Sequence, residues 1–194
     1  MRPLPTSLSE KLATSAALFA ETGLDGTTME DIARVTGISK TTLYYYFEGK
    51  EDLFARLLAD GLLAVEHEVS QALQGERTAA QQLAAVIEAQ VTVMNRNPEV
   101  ARAMFSELAR AQRIPEIAAA VDAAYYAPVS RLLAAGAADR SIRDVPDVRE
   151  TVMAIFGSVA ITGLHYLVRD GQIPPGTGAR IARLVLHGIA GDQE

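Results

Sequence analysis

The sequence predicts an all-α protein that is long enough for one large or two modest domains, and three observations support this prediction. Apolar residues make up 49% of the chain, and alanine is abundant among them. These residues recur at helical spacing, and no β-branched segment alternates with period two. The length of 194 residues suffices for an ample core. We expect a small helical domain over residues 1–48 and a larger one over 49–194.

The absence of cysteine limits the possible chemistry. Without cysteine there is neither a disulfide framework nor a thiolate site, which fits a reducing compartment. The N-terminal segment MRPLPTSLSEKL lacks the basic region and the sustained apolar run of a signal peptide. We therefore predict a cytoplasmic protein.

A first helix over residues 8–22 is followed by a pattern of two short helices joined by a tight turn. Thr27 is a good N-cap, and Glu30 lies three residues further on, as in a capping box. Met29, Ile32, Ala33 and Val35 form an apolar face. Gly37 then provides the residue that can adopt a positive φ where a helix ends.

The second short helix completes a helix-turn-helix pattern. Ser39 is its predicted N-cap, and Leu43 and Phe47, four residues apart, form one buried stripe. The outer face then carries Lys40, Thr41, Thr42, Tyr44, Tyr45 and Tyr46, with Lys50 just beyond. Hydroxyl, phenol and ammonium groups suit phosphate oxygens and base edges in a major groove. The alternative is a solvated face whose tyrosines pack partly against a neighbouring helix.

The segment TTMEDIARVTGISKTTLYYYFEGKEDLF resembles the DNA-binding segment of the TetR family of transcriptional regulators. The resemblance covers residues from about 10 to 58, and the rest of the chain matches only in length, helical character and order of elements. It implies an N-terminal three-helix DNA-binding domain and a C-terminal helical domain for ligand binding and dimerisation. It further implies two sets of DNA contacts. Lys40, Thr41, Thr42 and Tyr44 would face bases or nearby phosphates, and Thr28, Tyr45, Tyr46 and Lys50 would clamp the backbone.

One position departs from this family pattern. Gly49 stands where the family often has Ser, Asn or Asp to cap the next helix. A glycine N-cap costs only a few tenths of a kcal/mol relative to those residues, so we expect the docking to survive.

The charge balance predicts modest electrostatic attraction to DNA. The whole chain has a formal net charge of −6, and its first 60 residues carry six Lys or Arg against nine Asp or Glu. A basic footprint over the whole domain is therefore missing. We expect binding through placed contacts, with few phosphates neutralised per subunit and weak non-specific binding.

The remainder of the chain reads as further helices. A long helix is predicted from Lys50 to about Leu73, and GERT at 75–78 breaks the pattern. Helices follow at 79–95, 98–111, 115–138 and about 177–190. Pro128 should kink the third of these.

Residues 151–168, TVMAIFGSVAITGLHYLV, carry no Asp, Glu, Lys or Arg. The length alone suits a membrane span. Two glycines, several polar residues and close flanking charges favour instead a helix buried on more than one side. Together with the last helix it predicts a two-fold dimer formed as a four-helix bundle. The predicted interface residues are Ala154, Ser158, Thr162, Ile181, Leu184, Val185 and Ile189.

Sites other than DNA contacts are weaker predictions. The three histidines lie far apart in sequence without a second ligand at helical spacing, so no metal site is predicted. No nucleophile motif or dinucleotide fingerprint occurs, so we predict neither an enzyme nor a cofactor. The resemblance implies a pocket for an apolar or aromatic effector in the second domain. Its candidate residues are Met94, Met104, Phe105, Leu108, Tyr125, Tyr126, Phe156, His165 and Tyr166, although such residues more often form plain core.

Taken together, these features predict a dimeric, ligand-responsive regulator that binds a near-palindromic DNA operator. We predict a repressor that a small apolar or aromatic effector releases from DNA, with no membrane partner. The alternative is a helical protein–protein interaction module that uses the Tyr44–Tyr46 face.

Overall fold

The computed structural model describes residues 4–107 and 114–188, and all regular elements within these ranges are helical. In chain order they are α1 (Thr6–Ala13), α2 (Ser15–Gly26), α3 (Met29–Thr36), α4 (Lys40–Tyr46), α5 (Lys50–Ala72), α6 (Ala79–Arg96), α7 (Pro98–Ser106), α8 (Pro115–Val121), a π-helical segment π1 (Asp122–Tyr126), α9 (Ala127–Asp139), α10 (Val148–Asp170) and α11 (Thr177–His187). The predicted all-α class is confirmed.

The described residues form two compact units. The first contains residues 4–62 together with 97–107 and 114–120, and the second contains 63–96 and 121–188. This division differs from the predicted boundary after residue 48. The reason lies in the first unit, where α7 packs on α2. The ring of Phe54, at the start of α5, also lies 4.9 Å from that of Phe19.

The core of the first unit joins α2, α3, α4 and the start of α5. Its fully buried side chains include Phe19, Ile32, Leu43, Phe54 and Leu58. The spacing that predicted inward positions for Leu43 and Phe47 is confirmed, since both are at most 4% exposed. Val35, which was expected on the apolar face of α3, is exposed instead, and Thr36 is buried in its place.

The predicted first helix over 8–22 is two helices. The break falls at Thr14, whose backbone N–H and hydroxyl both donate to the carbonyl of Lys11, at 3.1 and 2.7 Å. Within α2, Gly23 leaves the helical region with φ 69° and ψ 173°, so the regular helix ends there as predicted. Residues 24–26 then form the turn that leads into α3.

The cap of α3 lies one residue later than predicted. Thr28 is the N-cap, because its hydroxyl accepts from the backbone N–H of Asp31 at 3.2 Å and donates to the Asp31 carboxylate at 2.6 Å. Thr27 is fully buried, and its hydroxyl donates to the carbonyl of Gly23. The capping chemistry was therefore predicted correctly, but the Thr27–Glu30 pair was wrong by one position.

The second unit is built around α6, which packs against α9, α10 and α11. Leu83, Ile87 and Met94 belong to its buried stripe. Close to its end, the Asn95 amide donates to the carbonyl of Ile173 at 2.9 Å and accepts from the N–H of Ile173 at 2.7 Å. These two hydrogen bonds attach the loop between α10 and α11 to α6.

The predicted disturbance at Pro128 takes the form of a π-helical segment. Pro128 has no N–H to donate and lies in the first turn of α9. Immediately before it, the N–H of Ala127 donates to the carbonyl of Asp122, five residues back. One i→i+5 turn thus separates α8 from α9, so the helix predicted over 115–138 is interrupted just before Pro128.

Two helix ends differ from the predicted bounds. The helix predicted over 98–111 ends at Ser106, and its last predicted residues lie outside the described ranges. The last helix ends at His187, and Gly188 follows with φ 74°.

Helix α10 is the one helix in the described ranges that is long and apolar enough to cross a membrane. A core helix of a soluble protein can be equally long and apolar, so length and composition alone do not establish a membrane span. Val152, Val159 and Leu167 on this helix are buried, whereas Met153, Ile161 and Val168 are exposed. The helix therefore has one face in its own core and a second apolar face without cover from the described residues.

Candidate nucleic-acid interface

Helix α4 is positioned by its cap and by two buried side chains. The Ser39 hydroxyl accepts from the backbone N–H of Thr42 at 3.1 Å, as the sequence predicted. Gly37 has φ 65°, a backbone conformation that would be strained for a residue with a side chain. Because Leu43 and Phe47 point into the core, the opposite side of α4 faces outward.

The outward side of α4 carries the predicted DNA-binding residues. Tyr44 and Tyr45 are 54% and 62% exposed. Lys40 and Thr41 are exposed as well, whereas Thr42 is half-buried. Tyr46 is also half-buried, with its ring edge-on to that of Tyr45 at 5.0 Å. The structure thus brings these residues together on one accessible surface.

Carboxylates from α3 balance the cations of this surface. Lys40 forms an ion pair with Glu30, and Arg34 pairs with Asp31 at 2.8 Å. The hydrogen bond from Lys40 holds the pKa of Glu30 below its ordinary value, and the same bond raises the pKa of Lys40. A DNA phosphate would compete with Glu30 for Lys40. This pairing fits the weak non-specific attraction expected from the charge count.

Two predicted backbone clamps have partners within the chain. The Thr28 hydroxyl is occupied by its bonds to Asp31. The Lys50 ammonium donates to the carbonyls of Asp25 and Thr27, at 3.1 and 3.0 Å. Lys50 therefore holds the turn that precedes α3, which sequence reasoning did not predict. A purely local reading missed it because these carbonyls lie more than twenty residues away.

The Lys50→Met variant is expected to lower the stability of the protein. It removes two charge-assisted hydrogen bonds, an exposed one to Asp25 and a partly buried one to Thr27, at a cost of about 1–2 kcal/mol. For a chain of this length that corresponds to a fall in Tm of roughly 2–8 °C. Thermal denaturation measures it, with Lys40→Met, which loses only an exposed ion pair, as the matched control. An unchanged Tm combined with weaker DNA binding would contradict this structural role and support a phosphate contact.

A basic residue that sequence reasoning did not select borders the same surface. Lys11 lies with Ser7, Ile38, Ser39 and Thr42 along a cleft of about 250 Å³ between α1 and the turn before α4. Lys11 is exposed and forms no ion pair with a described residue. It is therefore a further candidate for a phosphate contact. Sequence reasoning did not select Lys11 because it lies on α1, far from α4 in sequence, so no local pattern links the two.

The candidate effector residues separate into three groups. Tyr125, Tyr126 and Phe156 come together in the second unit, with ring centroids 5.1–5.7 Å apart. Met94 is buried in the same unit, His165 is exposed, and Tyr166 is half-buried beside it. Met104 and Phe105 belong to the first unit, and Leu108 lies outside the described residues.

Gln90 is a buried polar residue that sequence reasoning missed. It is 6% exposed, on the buried side of α6. A signal for it existed, because Leu83, Ile87, Gln90 and Met94 follow the spacing of a core stripe in which a single amide interrupts apolar residues.

The predicted dimer residues are placed unevenly. Ala154 and Leu184 are exposed, and Ser158, Thr162 and Val185 are partly exposed. Ile181 is only 6% exposed, because it packs in the core of its own unit, so it does not contribute to an outer face. Ile189 lies outside the described residues. The most exposed apolar side chains of this region are Met153, Ile161 and Val168, which the prediction omitted.

Comparison with known proteins identifies the class of protein to which this arrangement belongs. Residues 12–57 match the family described as bacterial regulatory proteins, tetR family. Residues 76–189 match the tetracyclin repressor-like C-terminal domain. These two matches cover the helix-turn-helix unit and the helical second domain, and they place the chain among bacterial transcriptional regulators. The chain belongs to the TetR family, and it is a DNA-binding regulator and not an enzyme.

Individual relatives agree with this assignment. The biofilm operon negative transcriptional regulator IcaR of Staphylococcus epidermidis is 38% identical over 50 residues, which cover 25% of this chain and 27% of that protein. The chain thus matches about a quarter of the length of this curated relative. The ketosteroid transcriptional regulator KstR2 of Mycobacterium tuberculosis superposes with a TM-score of 0.79, at 23% identity over 98% of each chain.

The transcriptional regulator FadR of Bacillus subtilis, solved in complex with stearoyl-CoA, has a TM-score of 0.78. It is 21% identical and covers 93% of this chain and 98% of its own. At this level of identity, both structural likenesses show the fold alone.

Proposed function

We propose that this chain is a cytoplasmic, dimeric repressor that binds a near-palindromic operator and is released by a small effector. The observation that carries the proposal is the exposure of Tyr44 and Tyr45 on a helix held by buried Leu43 and Phe47. This arrangement leaves phenol, hydroxyl and ammonium groups ready to enter a major groove. Lys11, at the rim of the neighbouring cleft, adds a cation for a flanking phosphate.

The uncovered apolar face of α10 and α11 supports dimerisation. Met153, Ile161, Val168 and Leu184 are between 47% and 65% exposed. A second copy would cover this face through a two-fold four-helix bundle. Two α4 helices would then read successive major grooves about 34–36 Å apart, which requires a near-palindromic operator.

The aromatic cluster of the second unit supports an apolar or aromatic effector. Tyr125, Tyr126 and Phe156 provide ring faces and edges on π1 and α10. An effector that binds more tightly to the conformation unable to span both half-sites would shift the population away from DNA. Since FadR of B. subtilis was solved with stearoyl-CoA, acyl compounds are among the effectors to test.

The deciding experiment is a fluorescence titration of the full chain with DNA from upstream of its own coding sequence, at two salt concentrations. We expect saturable binding that weakens with salt, with a slope of about −0.9 per phosphate neutralised. An unrelated duplex of equal length is the control. Absence of binding to any upstream fragment would contradict the proposal and favour a protein contact through the tyrosine face.

A further inference from the structure

Two buried polar atoms of the second unit lack a hydrogen-bond partner. They are the hydroxyl of Tyr125 and the Oε1 atom of Gln90, and neither finds a partner among the described residues. Tyr125 is 2% exposed and Gln90 is 6% exposed. Buried polar groups in folded proteins are nearly always hydrogen-bonded, so each exception calls for an explanation.

The two orphan groups belong to one site. A hydrogen-bond interaction with the Gln90 side chain offsets part of the rise that burial causes in the pKa of Tyr125, although the two side chains fall short of hydrogen-bond geometry. The ring of Tyr125 also contacts those of Tyr126 and Phe156, at 5.7 and 5.1 Å. Tyr125 lies in π1, and isolated π-helical turns occur frequently at functional sites.

No charged side chain among the described residues contributes to the pKa of Tyr125, which burial raises, the Gln90 side chain lowers and neighbouring Tyr126 raises. Among the described residues, the charges that affect the pKa of a nearby phenol, Arg149 and Asp122, act on Tyr126 and not on Tyr125. A buried carboxylate or ammonium group at Tyr125 and Gln90 would therefore have no counter-ion among the described residues. Burying an unpaired charge is far more costly than burying a neutral polar group.

Neighbouring Asn95 shows what a structural amide looks like on the same helix. Both its amide oxygen and its amide nitrogen bond the backbone of Ile173. Gln90, one and a half turns earlier, has no such backbone partner for its oxygen. The Asn95 amide thus supports the fold, whereas the Gln90 oxygen is left available to a ligand.

We propose that Gln90 and Tyr125 recognise an uncharged oxygen-bearing group, a hydroxyl or a carbonyl, on an otherwise apolar effector. A ligand hydroxyl can donate to Gln90 Oε1 and accept from the Tyr125 hydroxyl, and a carbonyl can accept from the phenol and from the amide nitrogen. The rings of Tyr126 and Phe156 contact the apolar part. The inference rests on the proposed effector response and specifies the chemistry of its ligand.

The first test measures the ligand-free protein. Tyr125→Phe and Gln90→Leu remove unsatisfied groups, so their Tm is expected to stay unchanged or to rise. Asn95→Leu, the matched control, removes two satisfied hydrogen bonds and should lower Tm by several degrees, roughly 2–10 °C. If Gln90→Leu or Tyr125→Phe lowers Tm as much as the control, the groups have a structural role, through each other or through a water, and the proposal is overturned.

The second test measures binding of matched probes, 1-decanol, 2-decanone and decanoate, by thermal shift. We expect at least one neutral probe to raise the Tm of the wild type more than decanoate does at equal concentration. The Tyr125→Phe/Gln90→Leu double variant should bind that probe at least tenfold more weakly. Stronger binding of decanoate, no shift with either neutral probe, or equal binding by the double variant would overturn the proposal.

Operator binding by the same proteins distinguishes a failure of the proposed ligand chemistry from a failure of the proposed regulatory function. The double variant is expected to bind upstream DNA like the wild type, because its changes lie in the second unit. If it does so and keeps the wild-type probe response, the ligand chemistry fails while the regulatory function stands. If the wild type binds no upstream DNA, the regulatory function fails whatever the probes show.

Discussion

Ile161→Glu is expected to convert the protein from a dimer to a monomer and to reduce operator affinity at least about 100-fold. Ile161 is 64% exposed in the middle of the uncovered face of α10, between Met153 and Val168. In a two-fold bundle the substitution places carboxylates from both copies in an apolar interface, where unpaired charge costs several kcal/mol. A monomer binds each half-site alone and loses the gain from linked binding.

Analytical ultracentrifugation and DNA titration measure this outcome. The matched control is Leu63→Glu, because Leu63 is similarly exposed, at 61%, but belongs to a different helix, α5. The control should remain dimeric and bind DNA normally. A dimeric Ile161→Glu variant with unchanged DNA affinity would contradict the proposed interface.

Tyr44→Ala is expected to weaken operator binding at least about 30-fold, because a base contact is worth about 1–3 kcal/mol and is lost at each of two half-sites. The dimer and the Tm should be unaffected, because Tyr44 is 54% exposed and its removal opens no cavity. Each dimer presents two copies of the residue, so the loss counts at both half-sites. Fluorescence titration with upstream DNA and with an unrelated duplex measures the change.

Two variants sharpen the interpretation of this result. Tyr44→Phe keeps the ring and removes the hydroxyl, so it separates hydrogen bonding from apolar contact. Lys11→Met removes a cation at the cleft and should lower affinity for all sequences, with a salt slope reduced by about one. Unchanged operator affinity in both Tyr44→Ala and Tyr45→Ala would argue strongly against α4 as the DNA-reading helix.

Local sequence signals predicted the helix-turn-helix unit well. Ser39, Gly37, Leu43 and Phe47 act within a few residues of their own positions, so spacing was enough to place them. The error in the cap of α3 also arose between adjacent residues. Thr27 and Thr28 are adjacent candidates for one cap, and only the burial of Thr27 in the folded unit decides between them.

Long-range contacts decided the remaining assignments. Lys50 was predicted as a phosphate clamp, and its bonds to Asp25 and Thr27 became evident only when α5 was placed beside the turn. Ile181 and Ile161 are both isoleucines on apolar helices. Packing places the first inside its own unit and leaves the second exposed.

By itself, the sequence determined the helical class and the helix-turn-helix unit, because short-range spacing and capping encode them, and its resemblance to known regulators indicated the family. Only the tertiary structure decided which polar groups have partners. It satisfied Asn95 through Ile173 and left Gln90 and Tyr125 buried without a partner among the described residues. The physical reason is that a hydrogen bond depends on where distant segments meet, whereas a helix depends mainly on its near neighbours.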